Sequence, residues 1–330
     1  MAGFIRGLLS RKNDISTIVT NPKKAVMFLF WPMLLSYLVV ALNGYLDAFW
    51  VSFLGASESS AVNAMVDLYL AIGAVGAGMG VACSVTISFH LGEKNQERAD
   101  SLATHSFLMT GIVSAVVGVL AYVLMGPFID WMEIDDLRSL CYEYMMPLIV
   151  FNVLLLLNGT LCGILRAEGD AVRSTIATLL CITSAIFNPL FIVVLDYGIA
   201  GAAWGTIAGT AVSTIYLLSL FIRKTTLVNI RIRNVSFDKT ALKELFQIGV
   251  PYSIQTGTRK LSNILEKVVI FVSVGFFAGT ATIAVYALPW TYIHIFECFG
   301  LALGAALIPV MSFSIGDNNM ENARRRIGPP

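Results

Sequence analysis

Two groups of polar residues stand in apolar surroundings at spacings that put each on one face of a helix. The first lies in "TRKLSNILEKVVIF" (258–271), where Arg259, Lys260, Glu266 and Lys267 interrupt a run that is otherwise almost wholly apolar. Residues at i, i+4, i+7 and i+11 share a helical face, so Gln255, Arg259, Ser262 and Glu266 form one polar stripe with Asn263 at its edge. The second is Ser36, Asn43 and Asp47 within "WPMLLSYLVVALNGYLD". A carboxylate in such a place can take up a cation or a proton and lose it when the surrounding cavity changes access. Asp47 has no basic residue on its own helical face, which favours that use. For Glu266 a fixed ion pair with Arg259 is the alternative. His294 and Glu297, at i and i+3, are a weaker pair: a relay or ligand shell, or a hydrogen-bonded structural contact.

These residues must be positioned by membrane-spanning helices. The chain of 330 residues is 57% hydrophobic and 13% charged, against roughly 25% charged in a soluble domain. A spanning helix needs about 20 mostly apolar residues, and such runs recur at Ala25–Trp50, Met65–Leu91, Ala103–Gly126, Met145–Leu165, Ile176–Leu195, Ile199–Ile222, Phe246–Phe277 and Thr282–Ile315. They predict eight spans and an all-α integral membrane protein. The alternating segments of about ten residues that a β-barrel needs are absent. A charge facing lipid at mid-span costs about 2.5–3.5 kcal/mol, so both polar stripes must face protein or a water-filled cavity. Glycine-rich "IGAVGAGMG" and "GIAGAAWGTIAGT" follow no strand and are read as close helix-packing faces, not phosphate cradles. The five cysteines show no paired spacing and the three histidines no zinc signature, which gives structural thiols and no metal site. The N-terminal segment lacks a signal peptide's apolar core and cleavage site, and is read as mature protein.

Basic residues set the orientation. Arg6, Arg11, Lys12, Lys23 and Lys24 precede span 1, and "GEKNQERAD", "RAEGDAVR", the loop from Arg223 to Lys243 and the tail "ARRR" carry most of the others. "ASESSAVN", "DYG" and "AGTAT" carry none. The N-terminus, loops 2–3, 4–5 and 6–7 and the tail are therefore expected in the cytoplasm of a multi-pass plasma-membrane protein. The near-neutral net charge gives no sign of nucleic-acid binding.

The polar stretch between spans 6 and 7 divides the chain into a six-helix bundle (1–222), a cytoplasmic linker (223–245) and the first two helices of a second bundle (246–330). At one constant offset Pro32 matches Pro251, Ser36 matches Gln255, Asn43 matches Ser262 and Asp47 matches Glu266. Farther on "GEKNQERA" matches "GDNNMENA", pairing Gly92 with Gly316. A repeat displaced by six helices is parallel, related by an axis along the membrane normal.

The stretch "LRAEGDAVRSTIATLLCITSAIFNPLFIVVLDYGIAGAAWGTIAGT" resembles the multidrug and toxic compound extrusion (MATE) family in its "RAEGD" turn, its "NPLFI" and its "GIAGAAWGT". "LDAFWVSFLG", "HLGEKNQERA" and "LFQIGVPYS" look like that family too, so the resemblance covers nearly the whole chain. It implies two six-helix bundles around a central cavity, and outward export of organic cations or drugs by alternating access in exchange for Na⁺ or H⁺. No other cofactor is implied. The partners are a small-molecule substrate and the lipid bilayer, and the protein is expected to be a monomer. The family's acidic residue of helix 1 falls on Asp47. Where helix 5 of the family often carries Asp before Pro, this chain has Asn188, which removes one titratable group and leaves an amide oxygen able to ligate Na⁺, with Asn43 as helper. Glu266 matches an acidic residue of helix 7 in some members. Pro32 matches a proline that bends helix 1, and Pro251 is its repeat partner. Ser36, Gln255, Arg259, Ser262, Glu266, His294 and Glu297 are expected to line the cavity or couple its two walls.

The family has twelve helices and this chain carries eight, so a truncated chain is the expectation. A flippase for lipid-linked saccharides, of the same superfamily, would use Arg259, Lys260 and Lys267 for pyrophosphate, and a non-transporting remnant is a further alternative. An intramembrane enzyme would need a nucleophile and base or a metal set, and neither is visible.

Overall fold

The computed structural model describes residues 22–230, 238–278 and 280–317. Ten α-helices run through them: α1 (Pro22–Ser52), α2 (Ala56–Gly92), α3 (Gln96–Trp131), α4 (Arg138–Val150), α5 (Asn152–Ala167), α6 (Ala171–Cys181), α7 (Ser184–Pro189), α8 (Gly198–Ile222), α9 (Lys239–Ala278) and α10 (Thr280–Gly316). There is no strand among the described residues. The all-α membrane architecture is as expected: among the described residues α1, α2, α3, α8, the second half of α10 and the run Ala171–Val194 through α6 and α7 are long and apolar enough to cross a bilayer, with a seventh span if α4 and α5 count as one. The seventh expected span, α9, is continuous, but most side chains of its second half lie outside the described residues.

Short polar caps start the helices. Asn95 accepts the Arg98 N–H at the head of α3, Asp170 accepts the Arg173 N–H at the head of α6, and Asp238 accepts the Thr240 and Ala241 N–H groups at the head of α9.

Two expected spans are broken. The run Met145–Leu165 is not one straight helix: α4 and α5 meet at a 48° bend. There the Asn152 side-chain amide donates to the Ile149 carbonyl at 2.7 Å, inserting a side chain into the backbone ladder. The run Ile176–Leu195 is interrupted after Cys181 and passes from α7 into a π turn at Leu190–Val194. Thr183 turns its hydroxyl onto the Leu180 carbonyl, and Pro189 cannot donate to the turn before it. The break turns Ser184 and Asn188 toward α1.

Glycines let the helices meet backbone to backbone. On α2, Gly76 and Gly80 face Gly159 and Gly163 of α5. A Cβ on Gly159 would lie 2.7 Å from the Gly76 carbonyl oxygen, and one on Gly163 would overlap the Gly80 backbone. Gly201, Gly205 and Gly209 of α8 lie in the same way against Phe191, Asn188 and Cys181. Both glycine-rich runs are therefore packing faces. α2 packs against α5, α9 and α10, and α10 also packs against α1. At one end of the bundle Gly92 abuts Phe313 while Gly316 abuts Phe89. Such a reciprocal contact is the kind that two elements related by a twofold axis make.

At that same end the turns between helices are tied together. Glu168 of the "RAEGD" turn, 3% exposed, accepts the backbone N–H groups of Leu227 and Val228 at 3.0 and 2.8 Å. Asp100 accepts the Asn229 N–H, and Arg173 donates to the Thr225 carbonyl. Arg98 pairs with Asp238 and, at 2.8 Å, with Glu244; His90 lies between Glu93 and Glu244. The chain leaving α8, read from sequence as a linker, is thus strapped at residues 225–229 to the turns beneath it.

Burial pushes the Glu168 carboxyl up from 4.5 to about 8, against the lowering effect of its two backbone donors, with Asp170 and Arg173 as the charged neighbours. Because the folded value is raised, the folded chain binds more protons than the unfolded one between those values. Glu168's contribution to stability is therefore present below about pH 4.5 and is lost as pH rises through about 8. Thermal melts at pH 5 and pH 8 should show a larger loss of stability for wild type than for Glu168→Gln. Equal losses would contradict this account of the latch.

Candidate functional site

Asp47 lies five residues before the end of α1, about 7 Å along the axis at 1.5 Å per residue. Asn43 sits one turn earlier on the same face and donates its amide to Asp47 Oδ2 at 3.1 Å. From the broken fifth span, Asn188 donates to Asp47 Oδ1 at 2.7 Å. The Ser184 hydroxyl donates to Asn43 Oδ1 at 2.9 Å and lies 3.5 Å from Asp47 Oδ1. Asp47, Asn43 and Asn188, picked from the sequence, thus come together. Ser184 was missed, although it stands one turn before Asn188 and shares its face.

Among the described residues no basic side chain forms an ion pair with Asp47, and its hydrogen-bond donors are neutral amides and a hydroxyl. Asn188 is fully buried, and its Oδ1 has no hydrogen-bond partner. Its orientation is fixed, since a flip would set oxygen against the Asp47 carboxylate. The amide oxygen points away from Asp47 onto Gly205, and a cation on the carboxylate that turned the amide over would gain it as a second hard donor. Gly205 makes room for it: a Cβ there would overlap Asn188 Oδ1. Gly205→Ala is expected to displace Asn188 and weaken cation binding by roughly 10–100-fold, the cost typical of disturbing a ligand's support. Unchanged affinity in a direct cation-binding assay would contradict this.

The other predicted residues are more dispersed. Ser36 donates to Thr175 Oγ1 at 2.9 Å and to the Pro32 carbonyl, which Thr175 also bonds. Pro32 and Pro251 both lie inside helices, α1 and α9. Gln255 and Ser262 are exposed, and the Ser262 hydroxyl turns back to the Thr258 carbonyl. Arg259 pairs with Glu297 across α9 and α10, a partner other than the Glu266 considered from sequence. The side chains of Glu266 and His294 lie outside the described residues. Asp67 is 8% exposed within α2, the helix that most others cover. Asp196 is exposed in the turn before α8.

A cavity of about 500 Å³ opens between α1, α2, α5 and α6 on one side and α9 and α10 on the other. Ser36, Tyr37, Ser84, Asn158 and Arg166 line it, facing Tyr252, Gly300 and Gly304. Arg166 entered the orientation argument as a loop charge. The structure corrects this, since the last turn of α5 brings the residue to the cavity wall.

The MatE family model matches residues 32–191. A curated relative, the multidrug export protein MepA of Staphylococcus haemolyticus, is 22% identical over 302 residues, covering 89% of this chain and 65% of its own length. The chain thus spans about two thirds of that relative. Among solved structures, a MOP superfamily transporter from Pyrococcus furiosus superposes with TM-score 0.86 at 26% identity, covering 96% of this chain and 70% of that one. A multidrug resistance MATE family transporter in an outward-facing conformation superposes equally, with the same identity and coverage.

Proposed function

The chain belongs to the MATE family, and we propose on that premise that it works as a secondary active antiporter. It would export drug-like organic molecules, organic cations among them, in exchange for Na⁺ or H⁺ by alternating access. The single observation that carries the coupling role is Asp47: an intramembrane carboxylate held by Asn43, Ser184 and Asn188, without an ion-pair partner among the described residues. A charge is kept at such a place when it is used. Of the two ions, Na⁺ fits better. Na⁺ on Asp47 would let the Asn188 amide turn over and give its oxygen to the ion, whereas a proton on Asp47 leaves that oxygen unsatisfied against Gly205.

The residues divide into roles on this reading. Asp47, Asn43 and Asn188 hold the coupling ion with Ser184 as a fourth member. Arg259 and Glu297 join α9 to α10 on the opposite wall, with Gln255, Ser262, Glu266 and His294 along it, and Pro32 and Pro251 are the points at which α1 and α9 bend. The six-helix bundle (1–222) and the helices that follow the strapped linker (223–245) rock against each other about the cavity. The latched end, with Glu168, Arg98 and Asp238, faces the cytoplasm together with the N-terminus, and the protein works as a monomer in the plasma membrane.

Vesicles bearing the full-length protein, loaded with a fluorescent organic cation, test the exchange under Na⁺ and pH gradients imposed separately. Efflux driven by the Na⁺ gradient alone is the expected result. Efflux driven only by the pH gradient would reassign the ion, and efflux independent of both would overturn the antiport reading.

A further inference from the structure

The cavity between the two sets of helices has a polarity that the coupling site does not explain. The Arg166 guanidinium reaches its wall, and no Asp or Glu is among the described residues lining it. Arg166 Nε donates to Ser174 Oγ at 3.2 Å, which orients the group. No carboxylate pairs with it among the described residues. Glu168, two residues on, is taken up by the Leu227 and Val228 backbone. Ser84 contributes a second unspent group: its hydroxyl is buried on the cavity wall without a hydrogen-bond partner. Tyr37 and Tyr252 supply aromatic surface from opposite sides. At Gly300 and Gly304 nothing stands within 4 Å of where a Cβ would be.

We propose that this cavity is a receptor for amphiphiles with an acidic head group, a carboxylate, sulfonate or phosphate, held by Arg166 and Ser84 with the apolar body between Tyr37 and Tyr252. A guanidinium matches the paired oxygens of such a group and bonds them two at a time. A volume near 500 Å³ suits a drug-sized molecule. An organic cation entering here would meet a like charge that no carboxylate among the described lining residues offsets. The proposal rests on the transporter reading only in taking the cavity as a cargo site, and it ranks acidic cargo above the organic cations of that reading without excluding them.

Equilibrium titration of the full-length protein in phosphatidylcholine nanodiscs, with 1-pyrenesulfonate and a matched pyrene trimethylammonium, tests it. The sulfonate should bind about tenfold tighter than the cation, and Arg166→Gln should remove that preference while Arg166→Lys, which keeps the charge and loses the fork, keeps only part of it. Gly304→Leu, which grows into open space, should weaken the sulfonate whatever Arg166→Gln does to folding. Repeating the titration with phosphatidylglycerol separates two sources of the same chemistry. Arg166-dependent displacement of the probe assigns the site to a lipid head group, and unchanged binding assigns it to soluble cargo. A cation that binds as tightly as the sulfonate, or a folded Arg166→Gln or Gly304→Leu that binds the sulfonate as wild type does, overturns the proposal. The titration needs no ion gradient, so a sulfonate preference found without gradient-driven efflux fails the antiport reading alone, and gradient-driven efflux found without the preference fails this proposal alone.

Discussion

Asp47→Asn is expected to abolish gradient-driven efflux from vesicles bearing the full-length protein while the chain still folds. The amide keeps the size of the side chain but removes the formal charge of the Asp47 cluster. It also sets a third amide beside those of Asn43 and Asn188, both of which now donate to carboxylate oxygens. Loss of a charged ligand should lower cation affinity by on the order of 100-fold, which leaves no exchange at ordinary Na⁺ concentrations. Removing a partly desolvated charge costs the fold little, so the melting temperature should hold or rise. Wild-type rates in Asp47→Asn would remove the residue from the coupling mechanism.

Gly163→Leu is expected to have the largest effect on the fold. A Cβ at this position overlaps the backbone of Gly80 on α2, so no rotamer of the new side chain relieves the clash and the helices must part. Overpacking of a tight contact costs about 1–3 kcal/mol and more when backbone must move, and here Gly76 and Gly159 would be pulled apart in the same motion. The variant should fail to accumulate as monodisperse protein, or melt far below wild type. Gly111→Leu on α3 is the control, since nothing stands within 4 Å of its Cβ position. Equal behaviour of the two variants would contradict the close approach of α2 and α5.

Much of this was legible in the sequence because the bilayer leaves few options. Apolar runs of spanning length must be helices, and a polar residue inside one must face inward. Hence Asp47 and Asn43 could be picked from their spacing, while Asn188 was picked only through the family resemblance of "NPLFI". The bends at Phe151 and Thr183 were not legible, since each arises from one side chain turning onto a backbone carbonyl inside an otherwise apolar stretch. Ser184 escaped for the same reason: only the break before it aims its hydroxyl at α1. Arg166 was misplaced because counting basic residues treats the last turn of a helix as loop. Glu168 stood in a recognisable turn, yet its role depends on a strand of backbone some sixty residues away, and spacing along the chain carries no sign of that. The Arg259–Glu266 pair weighed as an alternative from sequence is a contact along one helix, whereas the Arg259–Glu297 pair joins two.

The most direct test of the central claim is equilibrium binding of ²²Na⁺ to the purified full-length protein at pH 8. The account predicts one saturable site, lost in Asp47→Asn, weakened in Asn188→Leu, and displaced by protons as the pH is lowered. Saturable binding that survives intact in Asp47→Asn would contradict it, because the ion would then be held somewhere other than the cluster that joins α1 to the broken fifth span.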